Sequence, residues 1–232
     1  MHAKWSLAVA PAFLLGSMAS AEPYSGVAFA GGAASDGVSS YAGVVNALPG
    51  SRIGKGLALR LLASGGTYNY ESNGVGIHGR FAASEAALVY QFSGNWGWAN
   101  FSGGPRLTDV RLSPQDLAND RRGTRMDLAL QSDGAVQMSQ SWRLGWLGSV
   151  GVRDGTYFSR ADLGALVEPR SQTRVGLEAG LQGDPSYRAA NIGLFAATHL
   201  GRTLEGRVSA GANGQDHRKT RPYGTIGISF LF

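Results

Sequence analysis

RVGLEAGLQ, residues Arg174 to Gln182, carries the pattern that decides the architecture of this chain. Every second residue from Val175 to Leu181 is apolar, whereas Arg174, Glu178 and Gln182 share the opposite face with two glycines. Successive side chains of a β-strand point to opposite faces, so this period of two predicts a strand. One face of that strand is apolar throughout, and the other is charged or very small.

The same alternation recurs along the chain and predicts about twelve strands. Their predicted spans are 24–33, 39–48, 54–70, 77–92, 95–106, 123–135, 138–153, 155–168, 171–182, 187–199, 203–213 and 221–232. An even number of strands, most of them about ten residues or longer, is what a closed membrane barrel requires. We therefore expect an all-β fold, a closed antiparallel transmembrane β-barrel of about 12 strands, formed as one domain by residues 22–232.

A soluble β-sandwich would show the same alternation, so the choice of a barrel rests on other features. Aromatic residues lie near predicted strand ends, as in the interfacial girdles of outer-membrane barrels. They are Tyr90, Phe92, Trp96, Trp98, Trp142, Phe230 and Phe232. If both termini face the periplasm, the longest connection, residues 107–123, and the polar connection at 213–221 both fall on the external side. That arrangement favours the barrel.

The segment GTIGISFLF, Gly224 to Phe232, alternates to its last residue with an apolar face that includes Ile226 and Ile228. It resembles the C-terminal strand signal that the outer-membrane assembly machinery reads. Phe232 is the candidate assembly signal. The expected partners on this basis are outer-membrane lipid and the barrel assembly machinery.

Residues 1–21 have the layout of a secretory signal peptide: Lys4, an apolar run from Leu7 to Leu15, and small residues ending at Ala21. We expect cleavage after Ala21 and delivery to the outer membrane of a Gram-negative bacterium. Without Lys4 the balance falls from 21 to 20 basic residues against 16 acidic ones, or +4. No basic cluster indicates nucleic acid. The chain has no Cys, so disulfides cannot stabilise it.

The non-lipid face of the predicted strands carries the candidate functional residues. A basic side chain facing lipid at mid-bilayer costs about 2–4 kcal/mol, so charged residues should face the lumen. The lumen-facing candidates are Arg60, Glu85, Arg125, Asp127, Arg143, Arg160, Asp162, Arg174, Glu178, Glu205 and Arg207. They fit either a structural ion-pair network in a narrow barrel or a wet lumen that binds a polar solute such as a glucan segment.

The predicted external loop after the fifth strand holds a second group of candidates, Asp116, Asn119 and Asp120. Their side chains suit a saccharide or a divalent cation that bridges lipopolysaccharide, although a solvated cap is the more common role of such a loop. An outer-membrane hydrolase at the rim is a rival hypothesis, with His78 or His217 as the base. Catalysis needs a nucleophile and an orienting group within reach of that base, and the spacing indicates neither. We expect no enzyme, no metal site and no cofactor.

Two stretches carry a family resemblance. The run from Tyr41 to Tyr70 and the run RLSPQDLANDRRGTRMDLAL, from Arg111 to Leu130, resemble the BcsS family of cellulose-biosynthesis proteins. In the second run the matching residues are Leu112, Ser113, Pro114, Asp116, Asn119 and Gly123, and Leu117 stands where the family pattern has Pro.

The resemblance implies an outer-membrane barrel that assists cellulose secretion as a glucan conduit, docking platform or scaffold. Cellulose or another glucan and the cellulose synthase components would then be its partners. A narrow general or solute-specific porin is the alternative function.

Overall fold

The structure is a computed structural model that describes residues 24–117, 119, 121–185, 187–215 and 219–232. The predicted signal peptide, residues 1–21, lies outside these ranges. The strands are β1 (Gly26–Ala34), β2 (Val38–Ala47), β3 (Gly56–Ser72), β4 (Val75–Gly94), β5 (Gly97–Ser113), β6 (Gly123–Gln137), β7 (Trp142–Gly151), β8 (Tyr157–Glu168), β9 (Thr173–Asp184), β10 (Tyr187–His199), β11 (Leu204–Gln215) and β12 (Arg221–Leu231). Each pairs antiparallel with its neighbours in sequence, and β12 closes the sheet against β1. The predicted twelve-stranded closed barrel is confirmed.

The apolar face of the strands is the outer wall of the barrel. In β9, Leu177 and Leu181 are 59% and 56% exposed on the outside, whereas Arg174 and Glu178 are 7% and 3% exposed on the inside. This order is the reverse of a soluble protein, because the large apolar side chains face outward. A hydrocarbon environment around the barrel explains it. Among the described residues, no helix is long and apolar enough to span a bilayer.

The barrel has two different ends. We call the end that holds residues 24 and 232 the terminal mouth and the opposite end the distal mouth. Loop length does not separate them, because the connection at 48–55 of the terminal mouth is nearly as long as the connection at 114–122 of the distal mouth. The distal side is instead extended by the long strands β3, β4 and β5.

The predicted loop at 107–123 was wrong for its first seven residues, because β5 continues to Ser113 in pairing with β4 and β6. Along this part of β5 the polarity of the two faces is reversed. Val110 is buried inside, whereas Asp109 and Arg111 point outward. A strand that has left the lipid faces water on its outer side, so the alternation typical of the lipid-spanning part no longer applies.

The distal extension comprises residues 68–80 and 107–113, beyond the pairing of β3 with β2. Its inner face forms a small apolar cluster of Tyr68, Tyr70, Ile77 and Val110, which Phe81 joins from the adjoining part of β4. On its outer face, hydrogen bonds from Thr124 and Arg111 lower the pKa of Asp109 below its ordinary value. The extension therefore has its own core and a polar outer surface.

Several inner aromatic rings lie against glycines directly opposite them on the neighbouring strand. Tyr68 covers Gly79, and Tyr41 covers Gly31. A Cβ added at either glycine would overlap the ring, so only glycine leaves room for it. The same arrangement joins Phe29 to Gly43, Phe81 to Gly66 and Tyr223 to Gly211. These glycines let bulky rings lie along the wall of the barrel.

The interior near the terminal mouth is filled on one side. A core of apolar residues from β1 to β6 and β12 packs there, and Ile53 of the 48–55 connection packs against it from the mouth. Its buried members are Val27, Phe29, Tyr41, Val45, Ala58, Leu62, Val89, Trp98, Ala135 and Leu231.

We expect Phe232→Ala to reduce assembly, because the Phe232 ring covers Gly26 at the seam between β1 and β12. The Phe232 carbonyl accepts hydrogen bonds from the Ser25 and Gly26 amides at 2.9 and 3.0 Å, so the substitution removes the ring and keeps the backbone contacts. The measurement is the heat-modifiable fraction of the protein in outer membranes. The matched control is Phe101→Ala, which removes another exposed outer ring. Equal assembly of the two variants would contradict the assigned role of Phe232.

Candidate functional site

The first ion cluster lies on β3, β4 and β5, where Glu85 is held between two arginines. Its Oε1 is 2.6 Å from Nη2 of Arg60, and its Oε2 is 2.8 Å from Nη2 of Arg106. The Arg60 and Glu85 side chains are each 2% exposed. Arg106 also donates to the Ser149 hydroxyl. This cluster lies beside the apolar core, and its Glu85 and Arg106 bound a cavity of about 90 Å³.

Two charged residues near this cluster were missed by the sequence analysis. Arg106 is the last residue of the predicted strand 95–106, where the alternation does not show which face of the barrel its side chain is on. Asp133 lies on the same face of β6 as Asp127, so the alternation along the strand could have predicted that it faces the lumen. Asp133 accepts hydrogen bonds from Asn100 and Gln131, both at 2.9 Å. It belongs to the buried polar interior.

The second ion cluster lies on the inner face of the neighbouring strands β8 to β12 and centres on Arg207. Nη2 of Arg207 lies 2.7 Å from Oε2 of Glu178 and 3.4 Å from Oδ1 of Asp162. The guanidinium sits 3.9 Å from the centre of the Phe195 ring. The Tyr223 hydroxyl donates to Glu178 at 2.7 Å. Side chains from β8, β9 and β10 therefore contact the guanidinium of one arginine on β11.

Arg160 completes this second cluster, since its Nε lies 3.8 Å from Oδ1 of Asp162. We call the group of Arg160, Asp162, Glu178 and Arg207 the septum. Two cavities of the lumen meet at it. The distal cavity, of about 140 Å³, reaches the β1–β2 hairpin at the distal mouth and is bounded by Arg160, Glu178 and Arg207. The terminal cavity, of about 40 Å³, is bounded by Arg160, Asp162 and Arg207.

Polar and aromatic side chains line the distal cavity. Tyr41, Tyr68, Phe81, Phe158 and Tyr223 contribute rings, and Gln182, Asn191, Asn213 and Gln215 contribute amides. Of these rings, Tyr41, Tyr68, Phe81 and Tyr223 lie along the wall over glycines. The cavity therefore combines flat apolar surfaces with hydrogen-bonding groups.

The other lumen-facing candidates are divided between the two mouths. Arg143, Arg174 and Glu205 line the terminal cavity together with His199, whose Nε2 is 3.7 Å from Oε2 of Glu205. Arg125 lies on the distal side and pairs with Asp154 at 2.6 Å.

Asp127, also on the distal side, accepts backbone hydrogen bonds from Leu128 and Arg153. It therefore has a structural role, fixing the turn after β7.

The connection at 114–122 folds over the distal side of the lumen. Tyr70 donates to Oδ2 of Asp116 at 3.0 Å and accepts from the Asn119 amide at 2.9 Å. Burial raises the pKa of Tyr70 to about 12, so its hydroxyl remains a donor. Asp116 and Asn119 are 7% and 3% exposed, which differs from the exposed loop expected of external candidates. Asp120 lies outside the described residues.

Arg121 anchors the same connection across the barrel, with Nη1 at 3.0 Å from Oδ2 of Asp184. Its backbone amide donates to Asn119, and its Nη2 donates to the Asp154 carbonyl. The connection is therefore a cap with defined contacts to β9 and to the turn after β7.

His78, a candidate base of the rim hydrolase, faces outward on β4. Its Nδ1 lies 2.9 Å from Oδ1 of Asn69, and its Nε2 lies 3.5 Å from Nε of Arg80. An amide and a guanidinium occupy its ring nitrogens, and neither is a nucleophile. His217 lies outside the described residues. Within the described ranges, no group of three or more His, Asp or Glu side chains is placed to hold a metal ion.

A family model described as "Cellulose biosynthesis protein BcsS" matches residues 27–232. No curated protein matches the chain. Among solved structures, an outer membrane channel from Pseudomonas putida F1 is similar, with 14% identity, a TM-score of 0.58, and coverage of 95% of this chain and 100% of that one.

Two autotransporter barrels are also similar. The translocator domain of NalP from Neisseria meningitidis has 13% identity, a TM-score of 0.51, and coverage of 93% of this chain and 90% of that one. The β domain of the Bordetella autotransporter BrkA has 12% identity, a TM-score of 0.51, and coverage of 91% and 100%. At these identities the likeness concerns the fold, which is that of outer-membrane barrels.

Proposed function

This chain belongs to the BcsS family of cellulose biosynthesis proteins, and from that premise we propose that it is an outer-membrane docking platform for glucan during cellulose secretion. The barrel sits in outer-membrane lipid with its termini in the periplasm. Its distal cavity holds glucan at the outer surface. Cellulose synthase components are its partners in the periplasm, and the barrel assembly machinery inserts it.

The observation that supports a platform is the septum. Arg207 of β11 bonds Glu178 of β9 over the intervening strand β10, and this ion pair bounds the distal cavity. On the other side of the lumen, the Arg60–Glu85–Arg106 cluster lies beside the apolar core, and its Glu85 and Arg106 bound a third cavity, of about 90 Å³. A solute that enters from the distal mouth therefore reaches buried ion pairs that close the far end of the cavity. A lumen closed in this way is better suited to a docking site than to a general porin.

The distal cavity has the chemistry that a neutral glucan requires. A glucose unit presents apolar C–H faces, which pack on aromatic rings such as Tyr41 and Tyr223, and hydroxyls around its edge. The amides of Asn191 and Asn213 can donate to and accept from those hydroxyls. The charged side chains that line the distal cavity are two arginines and two carboxylates, so they sum to no net charge; they are Arg160, Arg207, Asp36 and Glu178. This balance favours a neutral saccharide over a charged one.

The test is planar-bilayer conductance of the purified protein combined with titration by a soluble cello-oligosaccharide. We expect a closed baseline with no resolvable current, together with saturable binding of the sugar, because the lumen ends at the septum. The binding should weaken in Asn191→Ala, which removes an amide of the distal cavity. Asn69→Ala, on the outer wall of the distal extension, is the matched control and should bind as the original protein does.

Two results would decide against the platform. An open channel whose current the sugar blocks would favour the conduit instead. A closed barrel that does not bind the sugar would defeat a glucan role for the lumen and leave a scaffold for the synthase components. Ester or lipid turnover by the purified protein that depends on His78 or His217 would favour the hydrolase.

A further inference from the structure

The terminal cavity has an excess of positive charge. Its lining includes four arginines and two carboxylates. The arginines are Arg143, Arg160, Arg174 and Arg207, and the carboxylates are Asp162 and Glu205. Glu178 contacts Arg207 from the distal side and brings the acidic count to three. Four positive charges against three negative ones leave one positive charge, with His199 neutral, in a largely buried site.

Arg174 shares the charge of Glu205 with Arg143 and so contributes to this excess. Its side chain lies on the inner face of β9 and is 7% exposed. In the described part of the chain, no group accepts a hydrogen bond from its Nη1, and Nε of Arg160 and Nε of Arg207 also lack an acceptor. Those two guanidinium groups, however, each lie near a septum carboxylate. A buried guanidinium with an unfilled donor is costly unless an acceptor reaches it. The cavity beside Arg174 is the place from which such an acceptor can come.

The size of the cavity limits the acceptor. A volume of about 40 Å³ accommodates a few water-sized groups, since one water needs roughly 10–15 Å³ on this measure. Planar guanidinium groups bind carboxylate and phosphate oxygens with charge-assisted hydrogen bonds. We propose that the terminal cavity is a binding site for a small oxyanion group, a carboxylate or a phosphate, with Arg174 as its principal donor. This site is separate from the glucan platform and does not depend on it.

The experiment is calorimetric titration of the full barrel in detergent with sodium acetate and, separately, with sodium phosphate. Sodium chloride at equal ionic strength gives the reference. We expect saturable binding of at least one of the two oxyanions, and the stronger one identifies the preferred group. Arg174→Gln should weaken that binding about tenfold or more, the loss expected for one charge-assisted hydrogen bond. Arg170→Gln removes an equal charge from the exposed β8–β9 connection and should leave the binding unchanged.

A second variant separates loss of the site from loss of the fold. Arg174→Lys keeps the charge and should retain more affinity than Arg174→Gln, with heat-modifiable migration confirming a closed barrel in each. Binding of neither acetate nor phosphate by the original protein would overturn the proposal. Equal affinity in the original protein and in a folded Arg174→Gln variant would overturn it as well. Neither result would affect the sugar titration, because the cello-oligosaccharide binds on the other side of the septum.

Discussion

Replacing Glu85 by Gln is expected to lower the free energy of unfolding by about 3–5 kcal/mol, the usual loss when one partner of a buried ion pair is removed. Glu85 is the carboxylate between Arg60 and Arg106, and the Arg60 side chain is only 2% exposed. The amide keeps the shape of Glu85 but loses its charge, so two guanidinium groups remain close together in the lumen. The measurement is urea unfolding in detergent micelles, followed by circular dichroism.

The matched control is Glu71→Gln, at the exposed end of β3, which should change stability by less than about 1 kcal/mol. A hydrophobic replacement of the pair gives a further comparison. Arg60→Met combined with Glu85→Leu should recover much of the loss, because well-packed apolar residues often substitute for a buried ion pair. If Glu85→Gln unfolds at the same urea concentration as the original protein, the cluster is not a stabilising element of this barrel.

Replacing Arg207 by Ala is expected to join the distal cavity to the terminal cavity and to convert a closed barrel into a conducting one. Arg207 borders both cavities and makes the contacts to Glu178 and Asp162. Its removal takes away the side chain that borders both cavities and leaves Glu178 and Asp162 without this partner, which favours water in the space between them. The expected result in planar bilayers is discrete single-channel steps where the original protein gives no resolvable current.

The comparison variant for this experiment is Arg170→Ala, which removes an exposed arginine at the terminal mouth and should remain closed. Heat-modifiable migration of both variants shows that each barrel has assembled. A folded Arg207→Ala variant that stays closed would mean that other residues divide the lumen. An original protein as conductive as the variant would mean that the septum is not a barrier.

The strand pattern could be predicted from sequence because lipid imposes a simple rule on it. Wherever the outer wall meets hydrocarbon, as at Leu177 and Leu181, alternation shows both the strand and its direction. The rule fails at Asp109 and Arg111, where β5 has left the lipid and its outer face is polar. Because the outer face of the distal extension is polar, the alternation did not reveal it, and the end of β5 was predicted at residue 106 instead of Ser113.

The inner residues of the strands could be predicted, but their grouping could not. Arg174, Glu178 and Arg207 all follow from the parity of their strands. Which of these side chains contact one another depends on the register of the strands and on how far each side chain extends into the lumen. A local sequence pattern reveals neither. The inward fold of Asp116 and Asn119 depends on Tyr70, which is distant in sequence, and a loop composition cannot reveal it.

The rings that lie over glycines have a consequence for how this barrel can diverge. Tyr68 and Gly79 face each other across β3 and β4, and a methyl group at Gly79 would occupy the place of the ring. A mutation to Ala at such a glycine would push the ring toward the lumen axis and narrow the passage beside it. Loss of the ring would leave a groove in the wall. Related chains are therefore expected to change the ring and the glycine together. Each such paired exchange would change the internal width of the barrel without changing its number of strands.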